Sequence, residues 1–582
     1  MRVCVGLRFG HIFVIFYGIA SILLATFNFF VRNELLELRR PQVKADAESM
    51  GYAANSLQPQ RDYVTTNATG DIDKNKGTLL DVHPLGGLDC ADHGGPTARV
   101  AVDDMIYWSD LPADSTYKSP FSRDKGSRKQ YLTFEQDDAG FNNMRSSMEV
   151  IVVLAHATGR TLVLPPKQKI NMLGGKNGGE EGWSLNDFFH LDLLAKQHEG
   201  INIISTEEYL RERTASSTAD ADNLPPPPQG RINWDHASKE ERKLLASYLR
   251  EHSIIPQEWD PTECVLGIPS SRGQYGLDEL REAMETVAQM KPEADYEVPW
   301  DPPPKDPSVE YRLREILGGR KKMCLYNERL QEAPVLHIPR DKSDETYFRL
   351  LTHWYAFLFF QDHETDLYYK RFVRDNIRLH DELQCAAGRI VAELRQKARE
   401  MGDKDGRFHT MHIRRGDFLE WFPITGLSAK ELYETSKAEL EKLPDVRVLF
   451  IATDHREKAF FDPFRKKYHV FFLDDFDDIA NLSDKRFGGM VDQLIAAKGE
   501  VFWGTFWSTF SGYINRLRGY HATRAELPGA ERGELNSFYF SPEHKINQMR
   551  QYMPVKLPLF MRDFPTSWIN LEKDNSKGKT WR

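Results

Sequence analysis

The chain has 582 residues, 40% of them apolar, and a formal net charge of −9. That length exceeds what one hydrophobic core usually organises, so two folded units are expected. The apolar fraction suits a large buried core, and so mild an acidic balance gives no electrostatic ground for nucleic acid as a partner.

The first element in chain order is Ile12–Val31, "IFVIFYGIASILLATFNFFV", which carries no formal charge. About twenty such residues cross roughly 30 Å of hydrocarbon as a helix. A cleaved signal peptide has a shorter apolar region that ends in small residues, whereas this one ends in Asn28, Phe29 and Phe30. Residues 1–11 are therefore expected to be a short cytoplasmic tail and 12–31 a retained transmembrane anchor contacting the membrane. Arg2 and Arg8 precede the segment and Arg32, Arg39 and Arg40 follow it, so charge counting does not set the orientation. The short basic leader favours a single-pass type II protein with its C-terminal part in the lumen of the Golgi or endoplasmic reticulum. Two glycosylation sequons, Asn67-Ala68-Thr69 and Asn481-Leu482-Ser483, fit that side of the membrane. Beyond Cys4 there are four cysteines, Cys90, Cys264, Cys324 and Cys385. They allow two disulfides in three connectivities, or free buried thiols, and their spacing is not that of a zinc site.

Residues 32–125 are polar and rich in Gly and Pro, and read as a stalk. Order begins at residues 131–166. A short strand, Tyr131–Phe134, precedes an acidic turn, and a helix follows with Met144, Met148, Ile151, Val152 and Ala155 on one stripe. Gly159 ends the helix and Thr161–Leu164 resumes as a strand. This is a β-α-β unit with parallel strands. Residues 126–370 form the first expected α/β domain, interrupted at about 205–345 by a polar, proline-rich insertion read as loops with a few short helices. Residues 371–545 form the second, with strands at Phe408–Ile413, Arg447–Ala452, His469–Leu473 and Glu500–Gly504, and 546–582 read as a tail. The fold class is thus α/β, with two facing Rossmann-like domains. Ligands of such sheets bind in the crevice beyond the carboxyl ends of the strands.

Three strand ends carry chemistry. "HIRRGDF" puts His412 and Arg414 on one strand face and Arg415 on the other, where pairing with Asp417 is expected. Guanidinium groups suit a diphosphate because they donate paired hydrogen bonds and stay charged. "FIATD" ends in Asp454, which either opens the strand into a loop or caps the next helix. "DQLIAAKGEVFWGTFWSTFSGYI" joins a helix bearing Asp492 to a strand. Ser508-Thr509-Phe510-Ser511 then starts another helix, where hydroxyls and unpaired N–H groups suit a phosphate.

Together with "DAGFNNMR" upstream, these motifs resemble those of the GDP-fucose protein O-fucosyltransferase family, over roughly residues 131–166 and 350–525. The resemblance implies a GT-B architecture and inverting transfer of L-fucose from GDP-fucose to a protein or glycan hydroxyl, with no cofactor or metal. It implies that Asp138, Ala139, Gly140, Phe141 and Asn142 line the cleft from the first domain, and that His412, Ile413 and Arg414 contact the nucleotide sugar from the second. Arg414 would neutralise the leaving GDP, Thr509 and Phe510 would hold the diphosphate and nucleoside, and Asp492 would accept from guanine. Where some members carry a glutamate base this chain has Ala139; Asp138 is then the nearest catalytic carboxylate, with Glu135 or Asp137 as substitutes, or with no enzymatic base and phosphate or water taking the acceptor's proton.

Two rivals stand beside this. Asp475-Phe476-Asp477 fits the D-x-D pattern of metal-dependent glycosyltransferases that use other nucleotide sugars. An anchored, catalytically inactive binding protein is the other, including an adhesive Arg415–Gly416–Asp417 loop, which the flanking apolar residues argue against. Trp354, Tyr355 and Phe357–Phe360 read as core.

Overall fold

In the computed structural model the described residues are 87–571, apart from 110, 125, 138, 171–172, 174–180, 215–223, 290–303, 305–306, 318–319, 321, 341–349, 541–545 and 550–561. All of them belong to one compact unit. The expected anchor at 12–31, the sequon at Asn67 and the candidate Asp138 lie outside the described residues. Among the described residues no helix is long and apolar enough to cross a membrane.

The elements that matter here follow in chain order. Helix α1 is Arg99–Met105, followed by strand β1 (Tyr131–Phe134), helix α2 (Phe141–Ala157), β2 (Thr161–Leu164) and β3 (Ile203–Ser205). Helix α3 (Lys239–Glu251) precedes β4 (Cys264–Ile268), β5 (Lys322–Leu325), β6 (Val335–Ile338) and β7 (Leu358–Phe360). Then come α4 (Asp381–Glu400), β8 (His409–Ile413), the short α5 (Phe418–Trp421), β9 (Val448–Thr453) and β10 (His469–Phe471). Helix α6 (Gly488–Ala496), β11 (Phe502–Thr505), α7 (Thr509–Arg524), β12 (Ser537–Phe540) and β13 (Ile546–Gln548) complete the set.

The strands form three sheets, ordered β3-β2-β1-β6, β10-β9-β8-β11-β12-β13 and β5-β4-β7. Every pairing is parallel except β12 with β13. The fold is therefore α/β with parallel sheets, as expected. Strands β1, β2 and β8 are buried at every position, because helices cover both faces of such sheets. Burial also encircles α2, well beyond its expected stripe: Val150, Val153 and Leu154 are fully buried beside Ile151 and Val152. Gly159 ends α2 with φ +63°, and a Cβ there would lie 2.4 Å from the Phe121 carbonyl oxygen, so no other residue fits.

Three stretches differ from their sequence reading. Residues 205–345, expected as loops and short helices, supply β4, β5 and β6, and β6 pairs with β1 along its whole length. Strands of four or five residues set in a polar, proline-containing stretch are too short to show a clear period. Part of the expected stalk is core: Tyr107 and Trp108 are buried, Arg378 lies 4.1 Å over the Trp108 ring, and Lys498 pairs with Asp104 at 2.8 Å. Part of the expected tail is core too, since Phe564 and Trp568 are buried and a Cβ on Gly519 would strike the Trp568 indole at 2.2 Å. A few aromatic residues suffice to dock a polar segment. The cysteines pair as Cys90–Cys385 and Cys264–Cys324. Trp354, Tyr355 and Phe357–Phe360 are core, as read.

Candidate active site

Parallel pairing places the carboxyl ends of β8, β9 and β11 side by side, with Ile413 opposite Thr453 and His412 opposite Gly504. The loops leaving these ends hold the second-domain candidates. Thr505 ties two strands together there, because its Oγ1 accepts from the Arg414 backbone N–H at 2.8 Å and donates to the His412 carbonyl at 3.1 Å.

His412 is buried, with Nδ1 2.7 Å from Ser511 Oγ and its ring stacked on Phe510 at 4.2 Å. Burial, then the nearby Arg414, lowers its pKa to about 3, so the imidazole is neutral in ordinary buffers. A Cβ on Gly504 would lie 2.7 Å from Ser511 Oγ, so that glycine lets α7 approach the sheet. Ser511 is thereby committed to orienting His412, while the N-cap residue Ser508 makes no side-chain cap. Trp507, between β11 and α7, has φ 66°, an uncommon conformation for a bulky residue that marks a constrained turn.

Arg414 is 14% exposed at the end of β8, and its guanidinium is bonded to Asp454 and Asp417. Asp454 also accepts from the Arg415 N–H at 2.7 Å. It caps no helix but serves as a carboxylate for the arginine turn. The expected Arg415–Asp417 pair is not formed. Arg415 instead donates to the Leu427 carbonyl at 2.8 Å and lies 4.3 Å over the Phe460 ring, because Asp417 turns back toward Arg414.

Asp492, on α6, has a buried Oδ1 with no hydrogen-bond partner among the described residues. Burial pushes its carboxyl well above the usual range, with Lys458 pulling down and Asp474 pushing up. An unpaired buried carboxylate oxygen is costly unless a ligand supplies donors. Its neighbour Gln493, which the sequence did not single out, donates from Nε2 to Asn142 Oδ1 at 3.1 Å and to the Phe510 carbonyl at 3.2 Å. That amide joins the start of α2 to the start of α7, so Asn142, Thr509 and Phe510 share one neighbourhood.

Not every candidate side chain faces this place. Ile413 belongs to an apolar cluster on the opposite sheet face, so only its backbone is available to a ligand. Phe141 packs on Phe188 and Phe189 and is likewise core. Ala139 and Gly140 are half-buried, and Gly140 is the N-cap of α2. Asp137 accepts from the Ala139 N–H at 2.9 Å, closing that turn. Glu135 is committed elsewhere: Arg250 of α3 binds both its oxygens at 2.6 Å, and His337 and the Arg340 N–H add further bonds. Burial would raise its pKa, but the bonds from His337 and Arg250 outweigh that and hold it at about 2. A carboxylate so placed is a poor proton acceptor near neutral pH.

The D-x-D carboxylates also have structural roles. Asp475 accepts from the Phe472 N–H at 2.8 Å, and Asp477 pairs with Lys485 at 2.6 Å. Among the described residues no three His, Cys, Asp or Glu side chains gather to hold a metal ion. Of the adhesive tripeptide, Gly416 and Asp417 are exposed while Arg415 is held by its carbonyl and ring contacts.

Below the site, α2 and α7 are joined by a buried ionic network. Arg516 donates to Glu149 and to Asp563, each at 2.7 Å, Glu149 also pairs with Arg145, and Tyr355 donates to Asp563 at 2.7 Å. All four charged side chains are about 1% exposed. Burial raises the Asp563 pKa, but Arg516 and His353 more than offset it.

No curated relative matches the sequence. Among solved structures, the NodZ α-1,6-fucosyltransferase soaked with GDP-fucose is 14% identical, covering 67% of this chain and 93% of that one with a TM-score of 0.29. Fucosyltransferase NodZ from Bradyrhizobium is 13% identical over the same shares, with a TM-score of 0.30. POFUT1 in its apo form is 11% identical, covering 72% of this chain and all of that one, with a TM-score of 0.33. The family profile of GDP-fucose protein O-fucosyltransferase matches residues 131–521, well over half of the chain. The chain belongs to the GDP-fucose protein O-fucosyltransferase family and is a GDP-fucose-dependent fucosyltransferase.

Proposed function

We propose that this enzyme moves L-fucose from GDP-fucose to a hydroxyl of a protein or glycan acceptor, with inversion and without a metal, in a GT-B arrangement of two facing domains. The reading is supported by Arg414 at the carboxyl end of β8, by the start of α7 just after β11, which has no side-chain cap, and by the Asp492 Oδ1 that lacks a hydrogen-bond partner among the described residues.

Each part has a chemical task. Guanine offers an N1–H and an exocyclic amine, donors of the kind that Asp492 Oδ1 lacks among the described residues. The diphosphate would meet the first-turn N–H groups of α7 at Thr509 and Phe510, where the helix dipole favours anions. Breaking the bond between the sugar's C1 and the phosphate oxygen leaves negative charge on the departing diphosphate. A fixed guanidinium there stabilises the transition state more than the ground state. Asn142, held by Gln493, would orient the sugar or pyrophosphate from the other side. Asp138 is proposed as the acceptor's base from its sequence position beside Ala139, since Glu135 is tied to Arg250.

We also propose a lumenal catalytic part behind a membrane anchor at residues 12–31, in the Golgi or endoplasmic reticulum. The apolar run supports this, as do two disulfides, which persist in oxidising compartments. Exposure of Asn481 leaves that sequon open to modification. The purified protein presented with a panel of nucleotide sugars is expected to release nucleotide from GDP-fucose, with activity retained in chelator. Release from a different nucleotide sugar, or loss of activity in chelator, would overturn the proposal.

A further inference from the structure

Among the described residues, Asp454 and Asp417 both bond Arg414, and the two are not equivalent. Asp454 is built in: it is 24% exposed, bonds the guanidinium, accepts from the Arg415 N–H at 2.7 Å, and lies where a Cβ on Gly416 would come within 2.6 Å. Asp417 is 53% exposed, sits at the N-cap of α5, and makes no capping bond to that helix. Its carboxylate bonds Arg414 instead.

We propose that Asp417 is a phosphate surrogate, an anionic latch on Arg414 that the donor's diphosphate displaces when it binds. The proposal rests on the assignment of Arg414 to the diphosphate. The diphosphate and Asp417 compete for the same guanidinium donors, and an anion entering beside these carboxylates would be repelled by them. Departure of Asp417 lessens that repulsion and releases the guanidinium N–H that it holds. The released carboxylate would move into solvent, where Asp417 is already 53% exposed. Asp454 stays and keeps the arginine aimed, with the Arg414 backbone fixed on Thr505. The latch thus holds a buried-edge guanidinium in its working position before the donor arrives, and weakens donor and product affinity by the strength of the pair it must surrender.

Titration calorimetry of the full chain with GDP and with guanosine tests this. Asp417→Asn is expected to tighten GDP about two- to fivefold, the size of an exposed ion pair, and to leave guanosine unchanged because it carries no phosphate. The gain is expected to vanish in the Arg414→Ala background. Unchanged or weaker GDP binding in Asp417→Asn, with Arg414→Ala binding GDP poorly, would overturn the latch alone. Equal tightening of guanosine would also overturn it. GDP affinity unaltered by Arg414→Ala would remove the assignment of Arg414 itself, and the latch with it. Thermal melting of each variant confirms that folded protein is being compared.

Discussion

Arg516→Met is the most informative perturbation of the framework under the site. The side chain keeps its bulk, but Asp563 loses its guanidinium and Glu149 keeps only Arg145. Removing one partner of a buried ion pair costs about 3–5 kcal/mol, because a charge stays behind without compensation. At roughly 2.1 cal/mol/K of unfolding entropy per residue, a unit the size of residues 87–571 unfolds with about 1 kcal/mol/K, so the melting temperature should fall by ~3–5 °C. The pH dependence gives a second signature. In the native protein Asp563 is depressed below its usual pKa, so its contribution is complete above the unfolded value and disappears only in acid. Without Arg516, burial lifts it above the unfolded value, the folded state binds the extra proton, and stability falls as pH rises. The deficit of the variant should therefore grow as pH rises from acid, through the unfolded carboxylate value, toward neutrality. Differential scanning fluorimetry across that range measures both effects. A melting temperature within about 1 °C of the parent, flat with pH, would refute the claim that this network holds α2 to α7.

Asp492→Ala removes the carboxylate expected to accept two guanine donors. GDP affinity should fall roughly 10- to 150-fold, the value of hydrogen bonds to a charged group, and the preference for GDP over inosine diphosphate, which lacks the amine, should collapse. Because burial holds the Asp492 carboxyl above its usual range, and only its ionised form accepts both donors, native GDP affinity should rise with pH and then level off. Asp492→Asn should show no such rise, and a preserved preference in calorimetry would count against the assignment. Glu135 makes a different prediction. Its folded pKa of about 2 lies below the unfolded value, so its stabilisation is present above about pH 4.5 and is lost as pH falls toward 2. Denaturant unfolding of Glu135→Gln should lack that part of the acid slope, and an unchanged slope would contradict its pairing with Arg250 and His337.

What the sequence revealed followed from short-range patterns. Alternation and apolar runs located β1, β2, β8 and β9 to within a residue or so, and "HIRRGD" and "FIATD" do lie at the carboxyl ends of β8 and β9. Side-chain alternation also separated Arg414 from Arg415 correctly. It could not say what each would touch, because Asp454 arrives from another strand and Asp417 folds back through a glycine with φ +33°. Gln493 was passed over because nothing local distinguishes it from other helix glutamines; its partner Asn142 is 351 residues away. The strands at 264–268, 322–325 and 335–338 were hidden by polar, proline-rich surroundings, and the role of residues 562–571 depends on Gly519 offering room for Trp568. Long-range complementarity of that sort has no periodic signature.

The account turns on the arginine that ends β8. Initial rates of GDP release from GDP-fucose, with acceptor saturating, should drop at least about a hundredfold in Arg414→Ala, since removing a fixed donor from a developing anion costs roughly 3–4 kcal/mol. A folded Arg414→Ala enzyme that turns over at near the parent rate would contradict the claim that this guanidinium meets the departing diphosphate.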